Sequence, residues 1–305
     1  MNIHVENQVA QTSVKKIERI HKPTPEEFKQ VTRSYTQPII ITEKIAEWKA
    51  FDLWSIDYLN SVVGNKEINV NVSKNKIFTF DPETEDTFPS TKMQFTDFTN
   101  WILNGRKSDQ YYYLQQHPIE SSFPELFPDI ETPDYINKNL LMVSNLWMGT
   151  GGNTTPLHWD AAKNLLSQVR GRKRILLFEP KQTAFLYPFS VHSKTPHMSH
   201  VNIDKPDLDK FPKFQNAKSM ECVLEPGEML FIPAFWWHQV YSLDQINIAV
   251  NFWWQANLKD YLTPQAKQIL IQRPKFFWAI ILQRTNPYWK LIKDFVVRIS
   301  NKKIV

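Results

Sequence analysis

The sequence predicts a mainly β fold flanked by helices, and three observations predict it. Between Tyr111 and Trp254 seven short stretches read as strands, with no long helical period between them. Glycine is scarce, 7 residues in 305, while proline reaches 20 and aromatic residues 13%, which suits short strands joined by ordered connections better than repeated βαβ units. Pro226-Gly227 marks a tight turn directly before one of the strands. Many short strands without long intervening helices imply a closed or sandwiched antiparallel sheet. A hydrophobic content of 42% is enough to bury one sizeable core plus an appendage.

The elements divide the chain into three parts. Residues 1–110 read as a mixed N-terminal part. Thr24-Pro25-Glu26-Glu27 combines an N-cap, a proline at the first helical position and an acidic first turn, so a short helix follows. Pro38–Thr42 and Ile68–Val72 read as strands, the second alternating apolar and polar. Trp54–Val63 and Phe95–Leu103 carry apolar residues at helical spacing. Residues 111–257 form the β core, with strands expected at Tyr111–Gln115, Asn139–Trp147, Asn164–Val169, Arg174–Phe178, Cys222–Leu224, Met229–Ile232 and Asn247–Trp253. Within it Pro180–Gln215 has no period, and a loop that long in a compact domain is functional or mobile. Residues 258–305 turn helical, with Thr263-Pro264 and Asn286-Pro287 each placing a capping residue before a proline. In the second of these helices Trp289, Ile292, Val296 and Ile299 make an apolar stripe that needs a covering surface.

Charge and cysteine usage narrow the partners. Residues 259–305 carry ten Lys/Arg against two Asp/Glu, a balance of +8, so the body is mildly acidic at −3 within the total of +5. The basic pI is therefore no argument for nucleic acid, and none is expected as a partner. The single Cys222 excludes an intramolecular disulfide and a cysteine-based zinc site. The first residues lack the apolar core of a signal peptide, and the run Phe276–Leu282 is too short to span a bilayer. A soluble, cytoplasmic protein is the expectation.

The chemistry concentrates at Leu157-His158-Trp159-Asp160. On a strand, residues two apart share a face, so one short segment can offer an imidazole and a carboxylate to one metal. His238, in Phe235-Trp236-Trp237-His238 after a strand bounded by Pro-Gly, is the best-placed third ligand. Two His and one carboxylate on one face of a metal is the arrangement of non-haem Fe(II) oxygenases. A lone His-x-Asp is weak, and context raises it. The clustered His192, His197 and His200 sit on the irregular stretch, where surface or substrate-loop roles outrank a second metal site, and His117 ends its strand. An oxygenase drawing electrons from 2-oxoglutarate also needs a cation for the distal carboxylate. Arg170, Arg172, Lys173 and Arg174 all offer one, and spacing does not choose among them; a solvated basic turn is the ordinary reading of such a run.

Thr155-Pro156-x-His158-x-Asp160, Asn164, Gln168-x-x-Gly171-x-Lys173-Arg174, Leu186-Tyr187-Pro188, Phe211-Pro212-x-Phe214-Gln215, Pro226-Gly227, Trp236-Trp237-His238 and Val250-Asn251-Phe252-Trp253 occur in this order, preceded by Tyr113-Leu114-Gln115-Gln116. The run Gly149–Trp254 thereby resembles the catalytic core of the JmjC-domain, cupin-like hydroxylases dependent on Fe(II) and 2-oxoglutarate. Within that family it is most similar to the asparaginyl hydroxylases that act on hypoxia-inducible factor. The resemblance implies a double-stranded β-helix, or jelly roll, with a C-terminal helical extension that makes a homodimer; it covers roughly half of the chain strongly, in motifs read as hypotheses about structural context. It implies His158, Asp160 and His238 as the catalytic iron ligands. It selects Lys173 from the four basic residues as partner of the distal 2-oxoglutarate carboxylate, assisted by Tyr113 and Thr155. Asn164 and Asn251 fall beside iron and 2-oxoglutarate, and Gln115 near co-substrate or substrate. The reaction implied consumes O2 and 2-oxoglutarate, releases CO2 and succinate, and oxidises an unactivated carbon.

One departure matters. Where the asparaginyl hydroxylases carry an Arg-Gln pair that holds the target side chain, this sequence has His197-Met198. Losing two amide-reading donors weakens recognition of a buried asparagine. The leading expectation is hydroxylation of a side chain in a protein or peptide. The alternatives are N-methyl-lysine demethylation, hydroxylation of a small molecule, and a non-enzymatic cupin-like binding protein. For the basic C-terminus, contact with an anionic membrane surface ranks below dimerisation.

Overall fold

The computed structural model describes residues 15–79, 89–104 and 109–272. Fourteen strands are present among them: β1 (Lys15–Lys16), β2 (Arg19–His21), β3 (Ile39–Thr42), β4 (Glu67–Ser73), β5 (Ser90–Gln94), β6 (Tyr111–Pro118), β7 (Leu141–Gly149), β8 (Thr154–Trp159), β9 (Lys163–Arg170), β10 (Lys173–Phe178), β11 (Met220–Leu224), β12 (Met229–Ile232), β13 (Trp237–Ser242) and β14 (Asn247–Trp254). They form a five-stranded sheet in the order β1-β11-β10-β13-β8 and a nine-stranded sheet in the order β2-β3-β12-β9-β14-β7-β6-β4-β5. From β7 to β14 the chain alternates between the sheets at every step but one, β10 to β11, which pair antiparallel within the small sheet. That alternation is the winding of a jelly roll, the fold class expected.

Side-chain parity explains where the core sits. Along β10, Ile175 and Leu177 point between the sheets and pack with Leu166, Leu230, Ile232 and Ala249. Their neighbours Leu176 and Phe178 point outward and pack with Leu157, Trp159, Phe235 and Trp237. The outer face of the large sheet is buried too: Leu165, Val169, Val250 and Phe252 meet Phe28, Trp54, Leu59, Phe95 and Phe98 from the N-terminal helices. Strands covered on both faces read as near-continuous buried runs, and β9 is buried at every position but its last.

The expected helices form at Pro25–Val31, Phe95–Asn104 and Pro264–Gln272. Thr24 closes a full capping box, with Glu27 N donating to Thr24 Oγ1 at 3.2 Å and Thr24 N donating to Glu27 Oε2 at 2.8 Å. The expected Trp54–Val63 helix begins instead at Ile56, because Ser55 caps it by accepting from Tyr58 N at 3.1 Å while Trp54 ends the preceding turn. β8 and β13 are strands the sequence reading did not separate. Pro156 and a register shift opposite His238–Val240 break the period in β8, and β13 opens on an aromatic run. Pro180–Gln215 is irregular apart from short 3-10 turns at Pro180–Phe185 and Pro212–Asn216, and part of it packs over the outer face of the small sheet. The helix expected after Asn286-Pro287, with the stripe on which the homodimer reading rests, lies outside the described residues. No helix of the described residues is long and apolar enough to cross a membrane.

The start of β9 is tied to the C-terminal part by a buried ion pair. Lys163 Nζ lies 2.7 Å from Asp260 Oδ2 with side chains 1% and 7% exposed, and the ammonium sits 5.5 Å from the centre of the Tyr35 ring. Removing one partner strands the other charge in the interior, which costs far more than the net value of the pair. Lys163→Ala should therefore lower the unfolding free energy by about 3–5 kcal/mol. Lys163→Met combined with Asp260→Leu should recover most of that loss, both read by urea denaturation.

Candidate metal centre

His158 and His238 stand directly opposite each other on the antiparallel strands β8 and β13, with ring centroids 4.1 Å apart. Asp160 follows the end of β8, so its carboxylate comes from the first residues of the turn rather than from the strand itself. Its backbone is held there by Phe235, whose N–H donates to Asp160 O at 2.7 Å. Asp160 Oδ2 lies 3.7 Å from His238 Nε2, and one ligand atom from each of the three residues falls within 4.8 Å of the others.

Both rings are oriented by their own strands. His158 Nδ1 donates to Pro156 O at 2.7 Å and His238 Nδ1 donates to Trp236 O at 3.0 Å. A carbonyl can only accept, so Nδ1 carries the proton and Nε2 is left with its lone pair, the tautomer a metal requires. Burial and the neighbouring His238 push His158 down to about 3, and burial pushes His238 down to about 4. Two neutral imidazoles and a carboxylate converging on one point fit a divalent cation of the iron type.

The pocket around them is lined by Tyr113, Thr155, Asn164, Lys173 and Asn251 as well as the triad, so eight of the nine residues singled out in the sequence share one cavity. Gln115 is the exception: it accepts from Asn71 Nδ2 at 2.5 Å and reaches the pocket only through Thr155, 3.5 Å from its Nε2. Parity decides among the four basic residues. Lys173 shares the inner face of β10 with Ile175 and Leu177 and is 2% exposed. Arg172 pairs outside with Asp244 at 2.9 Å, Arg174 with Glu221 at 2.6 Å, and Arg170 stacks over Phe51. Lys173 Nζ donates to Ser242 Oγ at 3.0 Å and Tyr113 Oη at 3.2 Å, and burial holds it down to about 7. The same burial pushes the Tyr113 phenol up, so it stays protonated.

The sequence reading passed over Ser242, Trp147 and Asn145. Ser242 shares the parity of His238 on β13, so counting by twos from that ligand would have found it; Trp147 and Asn145 share the inner face of β7, a strand with no motif residue to count from. His197 is half-buried close to the triad, its carbonyl accepting from Trp159 N at 3.0 Å, while His200 packs against the Phe189 ring. A groove of about 300 Å3 lies beside the metal pocket, lined by residues including Thr154, Pro156, Met198, His200, Asp204 and Gln239.

Comparison with known proteins places these features. A family model described as a cupin-like domain matches residues 25–260. Lysine-specific demethylase 8 of Danio rerio is 37% identical over 248 residues, 79% of this chain and 58% of its own length. Lysine-specific demethylase JMJ30 of Arabidopsis thaliana is 37% identical over 221 residues, 71% of this chain and 49% of its own. JmjC domain-containing protein D of Dictyostelium discoideum is 31% identical over 261 residues, 79% and 57% respectively. The chain spans about half the length of the curated relatives it matches. These names do not belong to the asparaginyl hydroxylase branch that the motifs suggested, which agrees with the His197-Met198 departure.

Because the folded pKa values of His158 and His238 lie below the ordinary 6.5, their contribution to stability is complete above pH 6.5 and is lost as pH falls toward 4 and 3. Metal-free protein should lose on the order of 2 kcal/mol per imidazole by about pH 5. A His158→Asn/His238→Asn variant should lack that component when urea unfolding is compared at about pH 7.5 and pH 5.

Proposed function

This chain belongs to the JmjC family of cupin-like domains, and from that premise we propose that it is a 2-oxoglutarate-dependent oxygenase that oxidises a side chain in a protein or peptide. Enzymes of the family use Fe(II), 2-oxoglutarate and O2. The observation that carries the reading is Lys173: a buried ammonium with two hydroxyls and, among the described residues, no carboxylate against it, in the same pocket as the His-Asp-His triad. An unpaired buried cation is costly, and an anionic ligand that enters the pocket compensates it.

Each residue then has a task. His158, Asp160 and His238 would hold the iron through two Nε2 atoms and a carboxylate oxygen. Lys173, Tyr113 and Thr155 bind the distal carboxylate of 2-oxoglutarate, and Asn164 and Asn251 face the rest of the co-substrate. When bound, the iron supplies the activation of O2 that couples loss of CO2 from 2-oxoglutarate to oxidation of a C–H bond. Leu166, Ile232, Val240 and Trp253 wall the pocket with apolar surface and keep water from the reacting groups. The groove beside Met198 and His200, next to the metal pocket, suits an extended peptide.

A second outcome of the same chemistry is favoured by one observation: three of the matched relatives are named lysine-specific demethylases. Hydroxylation of an N-methyl carbon gives a hemiaminal that loses formaldehyde, so the products separate the readings. Mass spectrometry of a peptide library shows a gain of one oxygen for hydroxylation, and loss of a methylene with formaldehyde release for demethylation.

Purified protein supplied with Fe(II), ascorbate and 2-oxoglutarate should form succinate, and Asp160→Ala should reduce the rate by at least about 100-fold, since a metal ligand is removed. Robust turnover in that variant would sink the assignment of the triad.

Lys173 gives an independent prediction. With its free ammonium held down to about 7, the residue is largely neutral at higher pH, and an anion beside it restores the proton. Binding of 2-oxoglutarate at about pH 8 should take up close to one proton, and affinity should fall about tenfold per pH unit above 7. Calorimetry in buffers of different ionisation heat measures the uptake, which Lys173→Met should abolish.

A further inference from the structure

The inward-facing polar side chains of β7, β9 and β14 form a relay of hydrogen bonds whose direction is set at one end. Trp147 Nε1 lies 2.7 Å from Asn251 Oδ1. An indole N–H can only donate, so the amide atom that faces it must be the oxygen. Asn145 Nδ2 donates to the same oxygen at 3.1 Å. The nitrogen of Asn251 is thereby turned toward Asn164 and donates to Asn164 Oδ1 at 3.1 Å. With its oxygen engaged, Asn164 offers the pocket its N–H2 end. All three asparagines are buried, so reversing any one amide would set oxygen against oxygen or N–H against N–H away from water.

The pocket has two ends. Lys173 opens β10 just after the turn that closes β9, whereas His238 pairs with Leu177 at the far end of β10. Asn164 stands at the start of β9, remote from that turn, and so on the metal side. A dianion whose distal carboxylate rests on Lys173 therefore brings its other carboxylate toward Asn164.

We propose that Trp147 is a positioning residue: acting through Asn251, it fixes Asn164 as a hydrogen-bond donor to the carboxylate beside the keto group of 2-oxoglutarate. The inference rests on the 2-oxoglutarate reading above. Trp147 touches no reacting atom in this role; it sets the polarity of two amides.

The test is equilibrium binding, independent of turnover. Mn(II)-loaded protein is titrated with 2-oxoglutarate and with 4-oxopentanoate, which keeps the keto group and the distal carboxylate but lacks the carboxylate next to the keto group. Trp147→Phe should weaken 2-oxoglutarate binding about tenfold, the scale of one buried hydrogen bond to a charged group, and change 4-oxopentanoate less than about twofold. Equal weakening of both ligands, or of neither, overturns the proposal. In an Asn164→Leu background Trp147→Phe should cause no further loss, and a second full tenfold loss also overturns it. If Trp147→Phe does not fold, Asn251→Ser interrupts the relay at its middle and carries the same pair of expectations. Wild-type protein that binds no 2-oxoglutarate would sink the oxygenase reading itself, whereas wild-type binding that Trp147→Phe leaves unchanged sinks only the relay.

Discussion

The ammonium of Lys173, closed between two sheets with the hydroxyls of Ser242 and Tyr113 against it, is the interaction around which the rest of the pocket makes sense. A β-sandwich of this thickness fills its interior with apolar side chains, as Ile175, Leu177, Leu224 and Leu230 do here. Placing a cation on that inner face runs against the ordinary logic of burial, and its depressed proton affinity measures the conflict. The conflict is tolerable because the same face also carries hydroxyls, amides and a metal-binding triad, a polar interior that a small dianion can complete. The apolar part of the interior and the two covered outer faces supply the stability that lets this polar part stay partly unsatisfied.

Parity turns this chemistry into geometry. His238, Val240 and Ser242 on β13 point inward, as do Lys173 on β10, Asn164 on β9, Asn251 on β14, Trp147 and Asn145 on β7, and Tyr113 on β6. Thr155 and His158 have opposite parity in sequence yet both reach the pocket, because the register shift in β8 opposite His238–Val240 absorbs one residue between them. That bulge is thus what lets one strand turn both His158 and Thr155 into the same pocket. It also brings the end of β8 to the point where Asp160, just beyond the strand, completes the triad.

The sequence carried much of this, unevenly and for physical reasons. Short, near-continuous apolar runs, such as Met229–Ile232 and Asn247–Trp254, were legible to within a residue or so. β8 and β13 were not, since a proline, a bulge and an aromatic run erase the period that marks a strand. The triad was visible because His-x-Asp and a distant His are local signals. Lys173 was ambiguous among four basic residues as long as only composition was weighed; the alternation Lys173, Ile175, Leu177 contains the answer, but it becomes decisive only when the inner face is known. Trp147 and Asn145 escaped entirely, because an aromatic and an amide on a buried strand carry no motif and acquire meaning only through the atoms they face.

The same contrast explains why the co-substrate is easier to infer than the target. A dianion of fixed length needs donors at two fixed places, and in the proposed site rigid strands buried in two sheets hold Lys173 and Asn164 for that purpose. In the proposed reading the substrate meets the site past His197 and Met198, on an irregular segment where His200 packs against Phe189 and Phe211 and His197 against Trp159 of β8. Hydroxylation and demethylation share their oxidative step, so nothing in the buried pocket need distinguish them. What separates the outcomes is the group presented to the metal: a carbon bonded to nitrogen releases formaldehyde, and any other carbon keeps the oxygen. On the proposed reading the choice falls to contacts along the Met198–His200 groove, while the strands beneath it answer to the small molecule they share.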